Sequence, residues 1–492
     1  VTSYDQLTSA FLKIYRFEHL QAITMWDHAT NMPPGGNDAR SAAMGELAAH
    51  IHRLRTAPEL APLLASAANE KLDDDGRANL REMQRVYRMS TALPDDLVHE
   101  STMAGARCEH AWRKQRPAND WAGFAVNLRD VVRLTREQAA RLSDQLGVSK
   151  YDALMDRFEP GMRSAEVDRV FGAVKQWLPD LIQRVRARQA KDTVIAAKGP
   201  FPVAAQRALC ERVMKLLQFD FDGGRLDVST HPFSGGVPED VRLTTRYSED
   251  DFEKSLMGTI HETGHGRYEQ HRPRALLGQP VSEARSMAIH ESQSLSFEMQ
   301  LGRSRGFMQL LAPLLREYLG AQPAFEPDNL FKLYTRVVPG YIRVDADEVT
   351  YPAHVILRYE IERPLIEGEI EVDDIPALWD DKMMKLLGVD TRGNFKDGPM
   401  QDIHWTDGAY GYFPCYTLGA MYAAQWFATI RAQRPALDAE IARGELAGVF
   451  DWLRANIWDR ASRYETADLC KRASGSALDP AHFKSHLETR YL

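Results

Sequence analysis

The chain has little cysteine. Its four residues, Cys108, Cys210, Cys415 and Cys470, lie far apart, and none forms a CxxC pair. That spacing argues against a disulfide scaffold and a thiolate metal site, and it fits reduced thiols in a cytoplasmic compartment. No stretch approaches the roughly 20 apolar residues that cross a bilayer. The start, Val1-Thr2-Ser3-Tyr4-Asp5, lacks a basic segment leading into an apolar one. No membrane partner is expected. Nucleic acid is not expected either, because the formal net charge is −8 and a general affinity for phosphate backbones needs an excess of the other sign. Ser/Gly-rich linkers, internal repeats and low-complexity tracts are also missing. One domain over 1–492, with two lobes around a cleft as a variant, is the simplest organisation.

What the chain does have is helical periodicity. Leu7, Phe11, Ile14, Tyr15 and the run from Phe17 to Leu20 recur at helical spacing over about 5–29, and Met32-Pro33-Pro34-Gly35-Gly36 ends the segment. Similar segments cover roughly 38–55, 95–115, 119–146 and 164–190, with Arg, Asp and Glu on their solvated faces. Pro202 suits the first turn of a helix running to about Phe219. There the texture changes. Asp222-Gly223-Gly224 reads as a turn, Leu226 to Thr230 has strand character, and Asp240 to Tyr247 alternates polar with mostly apolar residues, as a half-buried strand does. After Asp250 the helical pattern resumes almost to the end. The expected fold is mainly α, with a small β-sheet.

His261-Glu262-Thr263-Gly264-His265 matches HExxH. Positions i and i+4 of a helix point the same way, so both imidazoles reach one metal ion. Glu262, rotated about 100° from His261, faces a water beside that ion. Zinc lets water release a proton near neutral pH, and the carboxylate can accept it. With His at 15 of 492 residues, chance alone would produce the motif in roughly 3% of such chains, so a third ligand matters. The next helix, starting near Ser282, carries Ala284, Met287, Ala288, Leu295 and Met299 on one face, and Glu291 falls on that stripe. A carboxylate on an apolar face is costly unless paired, protonated or metal-bound. Glu291 lies 26 residues beyond His265 (291 − 265), enough for a turn and an antiparallel helix. Glu298 and Glu283 are the weaker candidates.

Six ordered motifs then stand out: His231-Pro232-Phe233, Asp240-Val241-Arg242-Leu243-Thr244, the HExxH at His261, His290-Glu291-Ser292-Gln293, Ile342-Arg343-Val344-Asp345-Ala346-Asp347, and Gly398-Pro399-Met400-Gln401-Asp402-Ile403-His404-Trp405. In these the chain resembles the carboxypeptidase Taq family of HExxH metallocarboxypeptidases, over essentially its full length. The resemblance implies a C-terminal exopeptidase of broad specificity acting on peptides with a free C-terminus. It also implies a saddle-shaped, zincin-like helical fold with a deep active-site groove, a homodimer, and one zinc per chain with cobalt as a substitute.

Within that reading Arg343 is the residue for the substrate's terminal carboxylate, since a guanidinium can grip it with two parallel hydrogen bonds. Arg358, one turn from His354, is the rival, and for either arginine the alternative is an ion pair with Asp345, Asp347, Glu360 or Glu362. Tyr416 resembles the tyrosine that stabilises the oxyanion in related helical zinc peptidases, with Tyr410 and Tyr412 as alternatives. His404 and His231 are candidates for substrate contact. The Asp240–Tyr247 strand, if it lies at an edge, could pair with an extended peptide backbone; otherwise Asp240, Arg242 and Thr244 tie it to a neighbouring helix. The rival functions are a zinc endopeptidase or dipeptide-releasing enzyme, and, outside enzymes, a helical binding protein whose HExxH is incidental.

Overall fold

The computed structural model describes residues 1–230 and 232–492. His231 and its expected substrate contact lie outside the described residues. Among the described residues the fold is mainly helical with one three-stranded sheet, and no helix is long and apolar enough to cross a membrane.

The chain divides into two compact units. The first comprises Val1–Ser90, Val194–Tyr334 and Tyr422–Leu478. Its opening helix, Ser3–Thr30, starts where Thr2 and Asp5 exchange side-chain and backbone hydrogen bonds in a capping box. That helix buries Leu7, Phe11 and Ile14 against Ile51, Leu60, Leu64 and Met83. The sheet comprises β1 (Gly224–Val228), β2 (Ser234–Val237) and β3 (Asp240–Thr245) in the order β1-β3-β2.

Two expectations change here. The Asp240 strand is central, paired parallel with β1 and antiparallel with β2. Both its backbone edges are taken, so it cannot add a peptide strand. Its polar residues are structural: Arg242 is paired with Asp240 at 2.8 Å and sits over the Trp26 ring of the opening helix, and the Thr244 hydroxyl accepts from the Ser229 hydroxyl and the Phe233 N–H. The helix expected from Ser282 begins instead at Met287, because Ser286 is extended and its hydroxyl accepts the Ile289 N–H as an N-cap.

The second unit comprises Thr91–Thr193, Thr335–Met421 and Asp479–Leu492. Its long helices are Asp95–Gln115, Trp121–Leu146, Ser164–Gln189 and Tyr351–Glu367. Asp120 caps the start of the second of these, and Gly147, in the left-handed region at φ 68°, closes it. Helix does not fill the span after Asp250 as expected. Between Gly388, also left-handed, and Pro414 the chain runs as turns and loop.

Candidate metal centre

The HExxH segment lies in the helix Glu253–Gln270 of the first unit, which is buried on almost every side. Two glycines flank His265 and explain the close packing. A Cβ on Gly264 would come within 2.5 Å of the Gln293 carbonyl oxygen, and one on Gly266 within 2.8 Å of the Phe219 ring. The helix is thus wedged between the sheet region and the helix Met287–Leu295, which carries Glu291. Ser292 and Gln293 fix that second helix, accepting the indole N–H groups of Trp426 (3.1 Å) and Trp458 (2.8 Å).

His261, His265 and Glu291 converge: one ligand atom from each lies within 4.8 Å of the others. Glu291 Oε2 is 3.7 Å from His261 Nε2 and 3.4 Å from His265 Nε2. Two imidazole nitrogens and one carboxylate oxygen make a donor set suited to a divalent ion with an open position. Burial pushes the Glu291 carboxyl up, but the charge on His261 and hydrogen bonds from His265 and Ser294 outweigh it and bring it down to about 2. Burial pushes Glu262 up to about 7, with His261 and the Ser234 hydroxyl opposing and Glu291 reinforcing the rise. It is 7% exposed.

Sequence reasoning missed how the imidazoles are held. His261 Nδ1 lies 3.0 Å from Glu298 Oε2, and Arg303 grips the other oxygen of that carboxylate at 2.6 Å. Glu298 is therefore placed behind the His261 ring rather than among the three converging groups. On the other ring, His265 Nδ1 is 2.6 Å from His290 Nδ1, and His290 Nε2 is 2.8 Å from Glu269 Oε1. Burial raises Glu269, but Arg272 at 3.0 Å and His290 bring it down to about 2. Glu283, the other weak ligand candidate, is taken up by Arg272 at 2.6 Å.

Arg343, Arg358, His404 and Tyr416 fall together in the second unit. Asp402 joins the two arginines: its Oδ1 accepts from Arg343 Nε (3.0 Å) and Nη2 (2.8 Å), and its Oδ2 from Arg358 Nε (2.6 Å). The partners expected from the sequence, Asp345, Asp347, Glu360 and Glu362, do other work where their bonds are described. Asp347 caps the Val349 and Thr350 N–H groups, Glu360 pairs with Lys175 and Lys382, and Glu362 accepts from Trp405, Tyr151 and Gly411. Arg358 has no exposed surface and also donates to the His354 carbonyl. Arg343 keeps a sliver of exposure and donates through Nη1 to the Tyr351 hydroxyl at 2.6 Å. Tyr416 is half-buried with its hydroxyl 3.1 Å from His404 Nε2, and the Arg343 guanidinium stands 4.9 Å from its ring centre. Of the alternatives, Tyr410 is buried against Trp405, and Tyr412 packs on Phe158 and His404.

A helical fold carrying HExxH and a glutamate from the following helix defines a metallopeptidase. The comparisons narrow this. Residues 6–491 match the family model of the carboxypeptidase Taq (M32) metallopeptidases. The chain is 37% identical to thermostable carboxypeptidase 1 of Thermus thermophilus over 484 residues, covering 96% of this chain and 95% of that protein. Its structure is similar to that of Trypanosoma cruzi metallocarboxypeptidase 1, with a TM-score of 0.98, 45% identity and 99% of each chain covered. It is also similar to a Pyrococcus furiosus carboxypeptidase, at a TM-score of 0.96 and 31% identity, covering 100% of this chain and 99% of that one. The chain belongs to the carboxypeptidase Taq (M32) family and is a metallocarboxypeptidase, a peptide hydrolase.

Proposed function

We propose that this metallocarboxypeptidase uses zinc, held by His261, His265 and Glu291, to remove C-terminal residues from peptides with broad specificity, with Glu262 as the general base. The observation that carries this reading is the meeting of one ligand atom each from His261, His265 and Glu291 within 4.8 Å, with the buried Glu262 next in sequence to His261. The N,N,O set is typical of catalytic zinc, and cobalt tolerates the same ligands. When bound, the ion polarises the scissile carbonyl and makes water acidic enough to attack. Glu262 takes the proton of that water on its carboxylate and hands it to the leaving amine. Its buried surroundings favour this role, since a carboxylate pushed upward accepts a proton more readily than a solvated one.

Arg343 receives the terminal carboxylate in this reading, held in place by Asp402 and Tyr351, and Tyr416 supports the oxyanion. These two assignments rest on the motifs and on each residue's own surroundings. Arg358 is assigned to fixing Asp402 rather than to binding substrate, and His404 to orienting the Tyr416 hydroxyl. We treat 1–492 as one catalytic domain, in line with a family match that runs nearly end to end.

The test is a pair of peptides that differ only in a free or amidated C-terminus. The free peptide should be shortened one residue at a time and the amide left intact. Equal cleavage of both would identify an endopeptidase with the same metal site.

A further inference from the structure

Consecutive residues of one helix bracket a single ring. Glu291 approaches His265 at Nε2, and His290 approaches it at Nδ1, 2.6 Å away. The two rings stand 4.7 Å apart between centres, tilted by 47°. Beyond His290 the line continues to the Glu269 carboxylate at 2.8 Å and on to Arg272 at 3.0 Å. His261 differs: its Nδ1 meets a carboxylate, that of Glu298, directly. The two imidazoles of the centre are thus backed in different ways, one by an anion and one by a second imidazole that itself leans on an anion.

We propose that His290 is a positioning residue that sets the tautomer and aim of His265, accepting the His265 Nδ1–H on its own Nδ1 and passing the hold to Glu269 through its Nε2–H. This rests on the metal-site reading above. A ring that ligates through Nε2 carries its proton on Nδ1. The atom 2.6 Å from that proton must then accept it, so His290 Nδ1 is bare and its remaining proton sits on Nε2. That nitrogen faces Glu269 Oε1, an acceptor, so every proton in the line has one donor and one acceptor. Turning either ring into the other tautomer would set two donors or two acceptors against each other. Partners behind a ligating histidine fix its orientation and raise its basicity. Here the partner is a neutral ring, so its acceptor atom and the fixed tautomer do the work.

Two isosteres separate this role from simple packing. In His290→Asn the amide oxygen falls near the position of Nδ1 and keeps the acceptor. In His290→Phe the ring volume stays but no acceptor remains. Zinc affinity is measured by chelator competition on the full chain, with circular dichroism as the check on folding. The expected result is a 10- to 100-fold weaker Kd for His290→Phe, with His290→Asn within a few-fold of wild type. Phe binding as tightly as wild type would overturn the proposal, and so would Asn falling as far as Phe. A second measurement needs no variant to fold. Nitrogen-15 spectra of the imidazoles in the zinc-loaded wild type should show His265 protonated at Nδ1 and His290 at Nε2; the opposite tautomer of His290 overturns the proposal. Wild type that binds no zinc would instead remove the metal-site reading itself, which keeps the two failures distinct.

Discussion

Replacing Asp402 with Asn should cost stability out of proportion to the one atom changed. The Asp402 carboxylate is 9% exposed and lies between two guanidinium groups that are 5% and 0% exposed. The arginines hold its carboxyl far below the usual carboxylate range against a burial that would raise it. Arg358 also lies over the Trp379 ring at 4.6 Å, and both guanidinium groups stand 5.3 Å from the Phe413 ring, so aromatic rings wall the two cations. An asparagine can accept from one arginine through its oxygen, but its NH2 then faces the N–H groups of the other. Two buried cations then lose the carboxylate that pairs with both of them. Removing one partner of a buried ion pair typically costs about 3–5 kcal/mol, against a total stability of about 5–15 kcal/mol for a folded protein. Urea unfolding followed by circular dichroism would measure this. Adding Arg358→Met to Asp402→Asn should recover more than about 1 kcal/mol of the loss, because one stranded cation is then gone. A single variant within about 1 kcal/mol of wild type, or a double variant no better than the single, would refute the reasoning.

Gly264→Ala should push the two ligand helices apart, because its Cβ would meet backbone atoms of Gln293 at 2.5 Å and Ser294 at 2.7 Å. A loss of about 1–3 kcal/mol is expected, together with weaker metal retention on dialysis, since Glu291 moves with its helix; full retention would contradict this. Glu348 is buried and bound by His486 (2.7 Å), Tyr491 (2.9 Å) and Arg490 (3.2 Å). Burial raises its carboxyl, but His486 and Arg490 outweigh this and bring it down to about 2. A depressed carboxyl contributes stability above its unfolded value near 4 and loses it as pH falls towards 2. Glu348→Gln should therefore lower stability at pH 7 by about 3 kcal/mol and flatten the acid limb between about pH 4 and 2. Stability curves for the two proteins that stay parallel would refute it.

What could be read from the sequence was what one helix turn encodes. His261 and His265 share a face because of i, i+4 spacing, and Glu291 stood out as a carboxylate on an apolar stripe. Glu298 did not, for a physical reason. The chain from Ser296 to Gly302 winds as a π-helix, and the wider turn carries Glu298 round to His261, whereas α-helical spacing puts it at the edge of the stripe. β2 was equally hidden, since Ser234-Gly235-Gly236-Val237 offers no alternation of side chains, and without it the Asp240 strand could be taken for an edge. Asp402 as the common partner of Arg343 and Arg358 depends on a loop 59 and 44 residues away from them, in a stretch with no period to read. The ordered motifs marked these residues as belonging together, but only the fold shows which touches which.

The most direct measurement is release of single C-terminal amino acids from an unblocked peptide by wild type and Glu262→Gln, with zinc content assayed in both. The account predicts sequential release by wild type and its loss in the variant while zinc is retained, because Glu262 moves a proton and does not hold the metal. A zinc-loaded Glu262→Gln protein that still trims the peptide at the wild-type rate would contradict it.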